Sequence, residues 1–352
     1  MEQREIFAQR LKNARVMNGF SMDDLVKAMG GEVSKTAISK YERGELFPSS
    51  SVVIELSNSL RQPIDYFFRP FEVSIDSIRF RKHKSKLTIK QEKALKESIS
   101  DLIERYISIE EICNATISFE SPIESVVFAE EDVIAAVKRI RTEWNIGNDG
   151  IVGVIDFLEN HGVKVLEITA PDSFDGLSSI VNDKYPVVVL NKSFSPERKR
   201  FTALHELGHL VLPFDSSIEE KQEEKLCNFF ASEMLISEDI FKKEIGASRS
   251  DISYQELKAL QLSYGISCDA LMYKAKDCGI IRGQRYKSFC IQKRRSPSFK
   301  ELIERSLYPE EESCRFSILV YRALSSELIT VSKAATLLHQ TVEQVRGDLA
   351  LV

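Results

Sequence analysis

The 352-residue sequence predicts a mainly α protein with a small mixed β-sheet, an α+β class. Two observations carry this. Over most of the length, apolar residues recur at helical spacing between capping residues and glycine or proline stops. Alternation of the strand kind is confined to residues 163–190. The chain reads as four segments: 1–72, a helical connector 73–125, a central domain 126–285 and a helical C-terminal region 286–352.

Composition narrows the possibilities. Hydrophobic residues at 43% suffice for ordinary folded cores, and a net charge of −5 excludes a polycationic nucleic-acid coat. No apolar run approaches membrane-spanning length, and Met1 to Arg10 lacks the apolar core of a signal peptide. The 6 cysteines are scattered, with no CxxC, which fits reduced thiols better than a disulfide framework. A cytoplasmic protein without membrane contact is the expectation.

Residues 4 to about 70 read as a helical bundle. Ile6, Leu11, Ala14 and Arg15 open an amphipathic helix that ends near Gly19. Ser21 caps a second helix with Leu25, Val26 and Met29 as apolar positions, and Gly30-Gly31 breaks it. Ser34 caps a third, Lys35 to Glu42, closed at Gly44. A fourth runs from Val52 to Leu60, and a short fifth element holds Ile64, Tyr66 and Phe67. Two short helices joined by a glycine turn make a helix-turn-helix arrangement. Ser34, Lys35, Thr36, Ser39 and Lys40 lie along the second of the pair, and these side chains suit phosphates and base edges. Double-stranded DNA is the expected partner. A protein-binding or dimerisation bundle is the alternative.

The string VSKTAISKYERGELFPS resembles the Cro-repressor (XRE) family of helix-turn-helix domains, over about 60 residues. Met22 stands where that family usually has Gln, and the turn through Gly31 and Glu32 is longer than the family's.

Arg79, Arg81, Lys82, Lys84, Lys86 and Lys90 follow without an acidic residue, as either a phosphate-tracking segment or a solvated linker. Ile89 to Ile112 then reads as one long helix, with Leu95, Ile99, Leu102, Ile103 and Tyr106 at helical spacing. It is a candidate dimer contact. A homodimer suits a helix-turn-helix protein, because two half-sites need two recognition helices.

In the central domain, Asp132 to Arg141 and Ile151 to Asn160 read as helices, the second ended by His161-Gly162. Strands are expected at Val163 to Ile168, Ser178 to Val181 and Pro186 to Leu190. Gly176 to Val181 is a candidate edge strand for holding an extended peptide. Asn191 reads as a substrate contact or a turn residue. Ser195 and Pro196 then start a helix in which Phe201, Leu204, Gly208 and Leu212 face the core, and Pro213 stops it.

That helix contains His205-Glu206-Leu207-Gly208-His209, an HExxH motif. One turn puts both imidazoles on one face, where they can reach one zinc ion, and Glu206 can take a proton from a water at the metal. In the next helix Glu224, Cys227, Asn228 and Ala231 share a face. Glu224 is the candidate third ligand, and Asn228 would orient a histidine from behind the ligands. Glu219, Glu220 and Glu223 read as a solvated face.

FTALHELGHLVL followed by EKLCNFFASEML resembles the ImmA/IrrE zinc-metallopeptidase domain. Its second motif, E-x-x-A-N-x-F-A, is met here except that Cys227 replaces alanine. The resemblance implies a gluzincin-like metallopeptidase site with His205, His209 and Glu224 on zinc and Glu206 as general base. Cys227 reads as a buried structural thiol, with metal ligation or redox sensing as alternatives. Tyr185, Tyr254 and Tyr264 are candidates for stabilising the oxyanion. The pairing of the two domains implies a DNA-binding transcription regulator that cleaves a repressor or another partner protein, in a stress, phage or mobile-element, or toxin–antitoxin response. The alternative is a repressor or antitoxin whose metal domain senses a ligand or partner without proteolysis.

Farther on, Tyr254 to Gly265 and Ser267 to Cys278 read as amphipathic helices. Arg282, Arg285, Lys287, Lys293, Arg294 and Arg295 form a second basic stretch, read as a loop. Ser317 to Leu349 reads as a small helical unit for packing or dimerisation, with a faint helix-turn-helix look.

Overall fold

The computed structural model describes residues 2–71, 73 and 87–350. Arg79, Arg81, Lys82, Lys84 and Lys86 lie outside the described residues. The chain divides into two compact units. The first is Met1–Ile117 with Ile180–Tyr185 and Cys314–Val352; the second is Ser118–Ser179 with Pro186–Ser313.

The first unit begins with α1 (Gln3–Met17), α2 (Met22–Ala28), α3 (Lys35–Glu42), α4 (Ser50–Leu60) and a 3-10 turn (Ile64–Phe68). The Ser21 hydroxyl accepts from the Asp24 amide, and the Ser34 hydroxyl accepts from the Ala37 amide, so each start is fixed by a cap. Gly30 and Gly31 both have positive φ, which is why the break falls there. Phe7, Leu11, Leu25, Ile38, Leu56 and Phe67 fill the bundle core.

Helix α5 (Ile89–Ile112) belongs to the same unit, as do α15 (Arg315–Ser325), α16 (Val331–Leu338) and α17 (Val342–Ala350). Ile109 of α5 packs with Leu319, Val320, Ala334, Leu337 and Val345. A buried ionic cluster joins the parts. Arg10 pairs with Glu104 at 2.8 Å, Arg69 with Asp101 and Glu104, and Arg105 with Asp101 at 2.9 Å. Arg105 also donates to the Leu337 carbonyl, and His339 lies 3.7 Å from Asp101. Of the segments expected as a connector and a C-terminal region, the parts up to Ile117 and from Cys314 fall in this unit, and 118–125 and 286–313 fall in the second.

The second unit holds α6 (Glu130–Glu143) and α7 (Val154–Asn160); next in the chain comes a three-stranded mixed sheet, β1 (Lys164–Ile168), β2 (Gly176–Val181) and β3 (Tyr185–Asn191). The order is β1-β3-β2, with β1 parallel to β3 in the register Lys164 to Val187. Then follow α8 (Pro196–Val211), α9 (Glu220–Leu235), α10 (Glu238–Ile245), α11 (Tyr254–Tyr264), α12 (Cys268–Asp277), α13 (Gly283–Arg295) and α14 (Pro297–Glu304).

The basic stretch at 282–295 is helical, which corrects its reading as a loop. Phe289 is buried, with Tyr286 and Cys290 half-buried beside it. This narrow apolar stripe is diluted in sequence by six cations, and Pro297 begins the next helix where it had suggested an irregular break. Asn191 is the last residue of β3, in register with Ile168, which corrects its reading as a turn residue. Its fully buried amide donates to the carbonyls of Ala170 and Phe174, each at 3.0 Å, and so holds the loop between β1 and β2.

Candidate metal centre

The site is built on α8, and α8 is held by its N-terminal half. The Ser195 hydroxyl caps it and Pro196 opens it. Arg200, fully buried, donates to the carbonyls of Ile151 at 2.8 Å and Tyr264 at 3.1 Å, and pairs with Glu311. Glu197 accepts from Gln261 at 2.8 Å and from Ser306 at 2.6 Å. A helix so anchored presents its last two turns in one fixed orientation.

Helix α9 packs directly on those turns, and Gly208 permits it. A Cβ at 208 would lie 3.1 Å from the Phe230 ring and 3.3 Å from Cys227 Sγ. The close approach brings Glu224 to the histidines. His205 Nε2 and His209 Nε2 are 3.2 Å apart, and the Glu224 carboxylate oxygens lie 3.3 Å from the first and 3.2 Å from the second. Zinc bonds of about 2.0–2.1 Å in a tetrahedron require ligand atoms roughly 3.3 Å apart. The two imidazoles stand at that spacing, each has one Glu224 oxygen at a similar distance, and the donor set of two histidines and a carboxylate fits a zinc ion. His205 and His209 are buried, and Glu224 is half-buried.

Glu206 is 4% exposed. One of its oxygens accepts from the Ser178 hydroxyl of β2 at 2.7 Å. Sequence reasoning missed Ser178, because nothing in a strand's alternation says which helix its side chains will meet.

The group behind His209 also differs from expectation. His209 Nδ1 lies 3.3 Å from Glu223 Oε1 and 3.3 Å from Cys227 Sγ. Glu223, read as part of a solvated face, is at the ring. Asn228, expected there, is exposed and lines a groove of about 730 Å³ with Lys225, Phe229 and Tyr273. Helical geometry explains the exchange. At 100° per residue, Glu223, Cys227 and Phe230 form the stripe turned to α8, Glu224 sits at its edge, and Asn228 falls beyond Glu224 on the outer side. The spacing of Glu223 from Cys227, one turn apart, was the available signal.

The tyrosine candidates have the following neighbours. The Tyr264 hydroxyl donates to Glu244 at 3.4 Å, the Tyr254 ring lies 5.6 Å from the Lys258 ammonium, and the Tyr185 ring lies 4.8 Å from the Lys184 ammonium. His161 stacks on Trp144 at 4.4 Å, at the end of α7.

On α3, Ser34, Lys35, Thr36 and Lys40 are exposed and Ser39 is half-buried. Lys35 pairs with Asp23 of α2 at 2.7 Å, both side chains well exposed.

Fold and site together define a helix-turn-helix domain joined in one chain to a metallopeptidase-like domain. Comparison with family models names both parts. Residues 11–67 match the helix-turn-helix family of XRE type, and residues 158–276 match the family described as the IrrE N-terminal-like domain. The chain is a fusion of these two domains. No curated protein matches it. No helix among the described residues is long and apolar enough to cross a membrane.

Proposed function

We propose that this chain is a DNA-binding transcription regulator whose IrrE-like domain is a zinc-dependent peptidase that cleaves a repressor or another partner protein. The spacing of His205 Nε2, His209 Nε2 and the Glu224 carboxylate is the observation that carries the reading. These residues would hold the ion. Bound there, zinc supplies Lewis acidity toward the scissile carbonyl and the attacking water.

The chain's own residues do the rest. Glu206 accepts the proton of the attacking water and passes it to the leaving amine. Ser178 occupies one Glu206 oxygen and leaves the other for the water. β2 is an edge strand, and the Val165 carbonyl of β1, the other edge, already accepts from Ser313 at 2.8 Å. An extended peptide paired with β2 would pass beside Glu206, since Ser178 of that strand touches it. The bundle would read DNA through Ser34, Lys35, Thr36, Ser39 and Lys40, as a cytoplasmic homodimer.

The test is Glu206→Gln. The variant is expected to keep its fold and its zinc and to lose cleavage of the partner, while Glu224→Ala loses the metal. Failure of the zinc-loaded native protein to process itself or any product of the neighbouring genes would overturn the peptidase. The burial of Glu206 and both histidines favours one second reading, a domain that senses a ligand or partner without cutting it. In that case regulation survives Glu206→Gln and is lost in Lys35→Ala with Lys40→Ala.

A further inference from the structure

From Gly279 to Lys300 the sequence contains no acidic residue, in a chain of net charge −5. Helix α13 lies in this stretch, and its cations divide into two sets. Arg285 pairs with Asp251 at 2.6 Å, and Lys293 pairs with Asp269 at 2.7 Å and Glu304 at 2.9 Å. Lys287, Arg294 and Arg295 are exposed, and among the described residues no carboxylate forms an ion pair with them.

The second set is ordered. At 3.6 residues per turn, Lys287, Arg294 and Arg295 share one face with Gln284, Ser288 and Ile291, opposite the buried Phe289. From Gln284 to Arg295 the row runs about 16 Å at 1.5 Å per residue. Three like charges held on one face without ion-pair partners repel one another, and an anionic partner relieves that repulsion.

We propose that the outer face of α13 binds the phosphate backbone of double-stranded DNA, as a contact separate from the recognition helix α3. One face of arginine, lysine, serine and glutamine donors, about a third of the helix circumference wide, suits a charged rod whose phosphates recur about every 3.4 Å of axis on each strand. Such a contact positions the protein and carries no sequence information. The proposal shares with the function above only the premise that the chain binds DNA. Ile291, 44% exposed in the middle of the row, is the feature that an acidic protein segment would use instead.

The experiment titrates the full-length chain, by fluorescence anisotropy across a range of salt concentrations. The probes are a duplex of arbitrary sequence, the gene's own upstream duplex and poly-glutamate. Each phosphate contact contributes about 0.9 to the slope of log K against log salt. Lys287→Ala with Arg294→Ala and Arg295→Ala is therefore expected to flatten the slope by about 2 to 3, and to weaken both duplexes alike by roughly tenfold to a hundredfold near 0.1 M salt. Arg285→Ala, which removes one charge from the paired side of the same helix, leaves the slope unchanged. Lys35→Ala with Lys40→Ala instead removes the preference for the upstream duplex, so failure of the bundle's reading is distinguishable from failure of this one. An unchanged slope in a triple variant that melts like the native chain would overturn the proposal. So would loss of poly-glutamate binding with DNA binding intact. Should the triple variant fail to fold, Lys287→Gln with Arg294→Gln is read in its place, with an expected flattening of about 2.

Discussion

At the residue scale, the imidazole of His209 is held from two sides. Its Nε2 faces His205 and Glu224, and its Nδ1 faces Glu223 and Cys227. A carboxylate that accepts the Nδ1 proton leaves the Nε2 lone pair for the cation and fixes the ring's rotation. Glu223→Ala is therefore expected to lower zinc affinity by roughly 10- to 100-fold, measured by competition with a chromophoric chelator. Glu223→Gln, whose amide oxygen still accepts, should recover much of the loss. Equal affinities in all three proteins would remove Glu223 from the site. That the two histidines and Glu224 come together was legible because their spacing is written into a single helix and the next one. Glu223 was not, because its role depends on which side of α9 turns inward, and a run of carboxylates in sequence looks solvated throughout.

At the element scale, the packing of α9 on α8 hinges on one missing methyl group. Gly208→Ala gains about 1 kcal/mol of helix propensity. Against that, the new Cβ would stand 3.1 Å from the Phe230 ring, closer than ordinary contact, and overpacking of this kind costs about 1–3 kcal/mol. The net change in stability is small, so the melting temperature should move little. A shift of α9 moves Glu224 relative to the two histidines, so zinc affinity should fall further than stability does. A variant with native zinc affinity would show that the helices need not approach this closely. Element boundaries were well legible where caps and stops exist, as for α5 between Thr88 and Cys113 or α8 between Ser195 and Pro213. They failed at α13, where the apolar stripe is narrow and charge density dominates the sequence.

At the scale of the whole molecule, the first unit carries two groups with opposed pH responses. Partial desolvation, with the Arg105 and Arg69 guanidiniums nearby, pushes His339 down to about 4, although its side chain keeps 30% exposure and Asp101 pulls the other way. An unfolded histidine titrates near 6.5. Between those values the unfolded chain binds the extra proton, so stability falls as the pH drops from about 6.5 to about 4. Burial pushes Glu97 up to about 7, while Arg10 and Lys12 oppose that rise and Glu104 adds to it. There the folded chain holds the proton, and stability is lost as the pH rises toward about 7. Melting curves across this range are expected to show His339→Asn losing the acid-side decline and Glu97→Gln losing the neutral-side decline. Asparagine is chosen at 339 because it tolerates the positive φ of 53°. No feature of the sequence announced that residues so far apart share one ionic cluster. That knowledge belongs to tertiary topology.

The arrangement around Asp101 bears on what a cut in the backbone can achieve. Segments near both ends of the chain, Arg69 on one side and Leu337 and His339 on the other, converge on α5, while residues 186–313 are spliced in between. A peptide bond severed in that spliced region would leave intact the packing of Ile109 on Leu319, Val320 and Leu337 and the Arg105 bond to the Leu337 carbonyl. A nick there would thus leave the helical bundle and the C-terminal helices joined within their unit without a continuous backbone between them.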